Sequence, residues 1–259
     1  VEGVALASVI AEYSALAVGL LFAARALRLH PGHWVTSRLT NIRAYGSFFL
    51  VNTNLFIRTM ALMFTLAFVT AQGARLGPAI LAANAVLMNF MNLTSLGLDG
   101  LAHAAEAMVG KAVGRKDTAA LQATVSLTLK WSLIFATGIT AVYVVAGPLI
   151  VRILTDLPDV RATSMTYLPW VIAAPLVAVW CYLYDGVYVG MTRSREMRNI
   201  MMASTVAVFL PLWFVTQPFG NHGLWFAFLA FLASRGVGMH FGYRKAMRVA
   251  FRPDVTEDA

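Results

Sequence analysis

The stretch Pro78–Leu98, PAILAANAVLMNFMNLTSLGL, carries no charged side chain. Wound into an α-helix, a run of that length reaches roughly 31 Å, enough to cross the hydrocarbon of a bilayer. It reads as a membrane-spanning helix that continues to Met108. Six further segments qualify: Ala5–Leu27, Ser47–Ala71, Leu121–Val151, Met165–Met191, Asn199–Thr216 and Gly223–Tyr243. The sixth in chain order, Asn199–Thr216, is the shortest and contains Pro211, which membrane helices tolerate where neighbours satisfy the freed backbone groups. The fold class expected is therefore an all-α membrane protein, a polytopic bundle of seven transmembrane helices.

Composition agrees. Of 259 residues, 59% are hydrophobic and 12% charged, with a mean hydropathy of +0.70; soluble domains carry about 25% charged residues. The formal net charge of +8 would suit nucleic acid only as a basic face on a soluble fold. Here the basic residues fall in short clusters between apolar runs, so no nucleic-acid partner is expected. Cys181 is the single cysteine, which excludes a disulfide framework and a multi-cysteine metal site.

Connectors rich in Gly, Pro and Asn, such as Gly73–Pro78, Leu157–Asp159 and Pro218–Gly223, end and restart the helices. The longest runs from Arg28 to Gly46, where Trp34 suits headgroup depth. Alternating connectors place fifteen Lys and Arg residues on one side and three, Arg75, Arg152 and Arg161, on the other. The positive-inside rule makes the richer side, with the carboxy terminus, cytoplasmic. The chain begins at Val1 rather than Met, outside, and without a signal-peptide pattern, so further helices are expected upstream.

Ionisable groups within spans are costly and are functional candidates by default: Glu12, Arg58, Asp99, His103, Glu106, Asp185, Arg235 and His240. Asp99, Asp185 and Arg235 lie eight or nine residues from their cytoplasmic helix ends, roughly 12–14 Å deep. Glu12 and Arg58 lie about thirteen residues in, near 20 Å. Depth alone thus proposes an Asp99/Asp185/Arg235 layer and a deeper Glu12/Arg58 pair. The carboxylates are either proton or cation acceptors or permanent partners of the arginines that fix packing. His103 and Glu106 follow Asp99 at i+4 and i+7 on one helix face, a relay or the lining of a wet vestibule. His240 reads as interfacial.

Asn52, Asn54, Asn84, Asn89 and Asn92 punctuate the second and third spans, interleaved with Met60, Met63, Met88 and Met91 and with aromatic residues such as Tyr182 and Tyr184. Thioethers and rings suit a promiscuous, cation-tolerant lining or plain packing. No nucleophile–base motif, HExxH or CxxC occurs, and Gly110–Arg115 lacks the Walker spacing. No enzyme is expected, and no metal or cofactor.

Three stretches carry a resemblance. Asn52–Thr59 (NTNLFIRT) with Gly73–Gly77, Leu98–Asp117 (LDGLAHAAEAMVGKAVGRKD), and Trp180–Asn199 (WCYLYDGVYVGMTRSREMRN) together resemble the DinF-type branch of the MATE (multidrug and toxic compound extrusion) family. The resemblance implies twelve helices in two lobes, of which this chain is the carboxy-terminal half. Residues 1–27 would be the last helix of the amino-terminal lobe, 28–46 a cytoplasmic inter-lobe connector, 47–245 a six-helix lobe and 246–259 a cytoplasmic tail. It also implies export of small cationic or amphipathic compounds from a bacterial inner membrane, coupled to inward proton or sodium flow. Asp185 matches an aspartate that binds the coupling cation in sodium-driven members. Its acidic partner there falls near Asn52, an amide, which favours H⁺ over Na⁺. Arg58, Asp99 and Glu106 match positions typical of the branch, without an assigned role. The partners expected are the substrates, the proton, membrane lipids and the other lobe. A lipid-linked oligosaccharide flippase is the alternative, but would need a strongly basic cavity. A membrane-embedded lipid enzyme would need clustered His, Asp and Glu at interfacial depth. A fragment inert without its other lobe is a further expectation to test.

Overall fold

The computed structural model describes residues 2–29 and 45–251. The expected inter-lobe connector, with Trp34, and the tail beyond Phe251 lie outside the described residues. The chain divides into two units, Val1–Ser47 and Phe48–Ala259. Among the described residues, the first is mainly α1 (Glu2–Leu29).

The second unit is a bundle: α2 (Gly46–Leu76), α3 (Pro78–Gly114), α4 (Thr118–Leu154), α5 (Pro158–Gly190), α6 (Ser194–Ala203), α7 (Leu210–Thr216) and α8 (Asn221–Ala250). A π-helical turn, Ser204–Phe209, joins α6 to α7, and a 3₁₀ turn, Gln217–Phe219, leads to α8. Counting Ser194–Phe219 as one passage, seven segments are long and apolar enough to cross a membrane among the described residues.

The helices outrun the expected spans. Hydropathy marks only the part in hydrocarbon, whereas backbone hydrogen bonding continues until something stops it. The third span runs on from Met108 to Gly114, and the fifth starts at Pro158 rather than Met165. Proline at the first helical position costs nothing, because that N–H has no intrahelical partner. Asp117 caps α4, its carboxylate accepting from Ala120 N at 2.9 Å. The π turn has a local cause too. Pro211 cannot donate to Ala207, and its ring crowds that carbonyl; the helix widens ahead of it, with Leu210 N bonding to Thr205 O.

Gly110–Arg115, the superficial phosphate-loop match, is the end of α3. The turns after α3 and α5 share one design. Asp117 N bonds to Ala112 O at 3.0 Å and Arg193 N to Tyr188 O at 2.8 Å. Lys116 and Thr192 take the left-handed conformation, at φ 55° and 60°. Both are Schellman-type stops that satisfy helix-end carbonyls.

α5 is the central helix, packed along α3, α4 and α8. Its seam with α3 relies on absent side chains: a Cβ on Gly190 would sit 2.6 Å from Glu106 O, and one on Gly186 would overlap the Ala102 carbonyl. Such small-residue seams replace hydrophobic drive where the solvent is lipid. α2 takes no part in these close backbone seams. Side chains hold it instead, among them Phe68, edge-on to Phe209 at 5.4 Å and to Trp213 at 6.3 Å.

Candidate functional site

Helical phase builds the site. On α2, Arg58, Leu62 and Leu66 recur at i, i+4 and i+8. On α3, Met88, Met91, Asn92, Ser95 and Asp99 form one stripe, and on α8, Phe228, Leu232 and Arg235 another. With Tyr182 and Asp185 of α5 and Met63 of α2, these residues enclose a cavity of about 360 Å³.

Its charged wall is a three-residue cluster. Arg58 Nη2 and Arg235 Nη2 both donate to Asp185 Oδ2, the latter at 2.7 Å. Arg235 is only 3% exposed, and its guanidinium carbon lies 5.5 Å from the centre of the Phe231 ring. Asp185 Oδ1 and Arg235 Nε are buried without a hydrogen-bond partner among the described residues. Asp99 is placed differently: its Oδ2 accepts one bond, from Ser95 Oγ at 2.9 Å. Two guanidiniums and two carboxylates thus line one cavity, neutral in sum when all are ionised. Thioethers and apolar side chains make up most of the remainder.

The depth layers therefore need one correction. Arg58 reaches Asp185 of the shallower layer; an arginine side chain spans the several ångströms between them, since its charge need not sit at the depth of its Cα. Glu12 lies on α1, outside the unit that holds this site. Asn52 does not line the cavity; its amide turns back onto Phe48 O at 2.8 Å. Glu106 is also outside the cavity, 3.4 Å from the exposed His103. His240 accepts or donates a 2.8 Å bond with the Tyr184 hydroxyl.

Of the amides, Asn54 is the one that docks α2 near its start. Buried at 2%, it donates to Ser194 Oγ at 3.2 Å and accepts from Arg198 Nη1 at 2.7 Å. Asn84 is joined to Asn221 and Trp225 in a second buried network. Ser95, Leu62, Leu66, Phe228 and Leu232 escaped sequence reasoning as site residues. Their signal was their spacing from Arg58, Asp99 and Arg235 on the same faces.

A bundle of long apolar helices around a cavity walled by paired charges is the architecture of a polytopic membrane protein with ionisable groups held inside its spans. Comparison with known proteins gives it a family. The MatE family model matches residues 53–215. The chain is 38% identical to DNA damage-inducible protein F of Escherichia coli over 96% of its own length and 54% of that protein. It is 24% identical to Protein DETOXIFICATION 43 of Arabidopsis thaliana over 91% of its length and 44% of that protein. In fold it superposes on the Vibrio cholerae MATE transporter VcmN in the bent form, with a TM-score of 0.78 at 20% identity, covering 90% of this chain and 54% of that one. A MOP superfamily transporter from Pyrococcus furiosus gives 0.68 at 16% identity, over 76% and 44% of the two chains. The chain belongs to the MatE family, whose members are transporters and not enzymes. It spans about half the length of the curated relatives it matches.

Proposed function

We propose that this chain is the carboxy-terminal lobe of a proton-coupled antiporter that exports small cationic or amphipathic compounds across a bacterial inner membrane, with its carboxy terminus cytoplasmic. The supporting observation is the cavity in which an arginine-bound carboxylate, Asp185, accompanies a second carboxylate, Asp99, held by a single hydroxyl. The two acids have different roles in this reading. Asp185 keeps Arg58 and Arg235 compensated, so the charges can reside in a low-dielectric bundle. Asp99 is the acceptor that substrate cation and proton share. A proton on Asp99 removes the charge that attracts the cation, and each ligand shifts the lobes only by its differential affinity for the two access states. Met63, Met88 and Met91 supply a polarisable, adaptable lining for varied apolar bodies.

Sodium is disfavoured as the coupling ion, because the second acid's position falls near Asn52, an amide that bonds to Phe48 O and does not line the cavity. Glu12 and Glu106 remain outside the proposed exchange step.

The test is ethidium efflux from cells or vesicles containing the full-length protein that carries this chain, under an imposed proton gradient. Asp99→Asn and Asp185→Asn should each abolish gradient-driven efflux. Undiminished efflux in both removes them from the mechanism, and efflux that follows sodium but not protons overturns the coupling assignment.

A further inference from the structure

A second cavity, of about 440 Å³, opens between α6 and α8 at the end of the bundle where α6 begins and α8 finishes. Arg195 and Lys245 line its mouth, together with one acid, Glu196. Neither Arg195 nor Lys245 forms a salt bridge among the described residues, and Glu196 forms none either. The mouth therefore carries a surplus of one positive charge.

Depth separates the charged lining from the apolar, with the Asn199 amide, about 6 Å in, between them. Arg195 lies in the first turn of α6, and Ile200 follows five residues later, about 7.5 Å further into the bundle. On α8, running the other way, Gly242 and Gly238 precede Lys245 by three and seven residues, about 4.5 and 10 Å deeper. Cations stand at the mouth and an apolar floor runs inward from them. Glycine lets Ile200 and Tyr188 close against α8 along that floor: a Cβ on Gly238 would sit 3.0 Å from Ile200 Cγ2, and one on Gly242 2.8 Å from the Tyr188 hydroxyl. The Tyr188 hydroxyl is spent on Met239 O at 2.8 Å, leaving the floor no free donor there.

The geometry points to a binding site for an anionic phospholipid, its phosphate between Arg195 and Lys245 and an acyl chain lying over Gly242, Gly238 and Ile200. A soluble anion would use the mouth and leave the floor idle; only an amphipathic anion matches both. The site is separate from the central cavity and shares no lining residue with it.

The test uses the full-length protein in nanodiscs of phosphatidylcholine doped with phosphatidylglycerol, with co-purifying lipid counted by native mass spectrometry. R195Q/K245Q should weaken phosphatidylglycerol retention roughly twenty-five-fold, at about fivefold per basic residue near a membrane surface. Glu196→Gln should strengthen it by a few-fold, an opposite sign that a folding defect cannot produce. R244Q/R248Q removes equal charge from the same end outside the cavity and should have much the smaller effect. Equal losses in the two double variants would show a diffuse electrostatic attraction and overturn the site. Displacement of the lipid by millimolar inorganic phosphate would overturn the amphipathic ligand.

Discussion

Two buried polar clusters in this bundle are built to opposite specifications. In the first, the Asn84 and Asn221 side-chain amides exchange hydrogen bonds at 2.8 and 2.9 Å, and Trp225 Nε1 adds a third to Asn84 Oδ1 at 2.9 Å. It is neutral and closed, with all three residues at 3% exposure or less. In the second, Arg58 and Arg235 crowd one oxygen of Asp185, while Asp185 Oδ1 and Arg235 Nε find no partner among the described residues. It is charged, incompletely bonded, and open to a cavity. A network whose donors and acceptors are all matched has nothing left to offer a ligand and serves to lock α3 to α8. One that retains charge beside a space can exchange partners. On this contrast the closed amide network is packing, and the open ion cluster belongs to the site proposed for transport.

The largest effect that would break this contrast is at Asp185. Asp185→Asn leaves two guanidiniums in the bundle, one of them almost wholly buried, without their counter-charge. Breaking a buried ion pair from one side costs about 3 kcal/mol or more. Denaturation in detergent should show that loss, together with loss of transport. Asn84→Leu comes next. It strands the Asn221 amide and the Trp225 N–H, at about 2 kcal/mol, the low end because a membrane-inserted chain finds substitute partners. Adding Asn221→Leu should recover part of that cost, since replacing both partners leaves fewer orphaned groups. Efflux per folded molecule should survive in both Asn84 variants. If it fails while stability holds, the closed network is functional and the contrast is wrong.

The contrast was only half legible in the sequence. Spans and their alternation are properties of local composition, so hydropathy and the Lys/Arg pattern suffice to place seven helices. Depth arithmetic put Asp185 and Arg235 at one level because both sit on regular helices at known distances from an end. It misplaced Arg58 because it located a Cα, while the charge rides on a long flexible stem. Helical phase was the harder unknown. Asn52 and Asn54 lie two residues apart, about 200° around the helix, so one turns outward and the other docks on Ser194 and Arg198. A single sequence sets no absolute phase for α2, whose neighbours decide which face is inside. Pro211 was visible, but a proline in a span can kink, break or widen the helix, and the sequence did not say which; here the helix widens over Ser204–Phe209.

Asp99→Asn should have the smallest effect on stability and the sharpest effect on mechanism. The amide is nearly isosteric, its oxygen can still accept from Ser95, and no arginine depends on it for compensation. Such a change at a partly exposed cavity wall should stay within about 0.5 kcal/mol. Yet the carboxylate that proton and cation would contest is gone. Binding of a fluorescent cation to the purified full-length protein should weaken and lose its dependence on pH, while the denaturation midpoint stays at the wild-type value. Asp185→Asn should instead move midpoint and binding together. If Asp99→Asn proves as destabilising as Asp185→Asn, then Asp99 is a fourth member of the ion cluster rather than the free acceptor. If it leaves pH-dependent binding intact, the exchangeable acid lies elsewhere in the full-length protein.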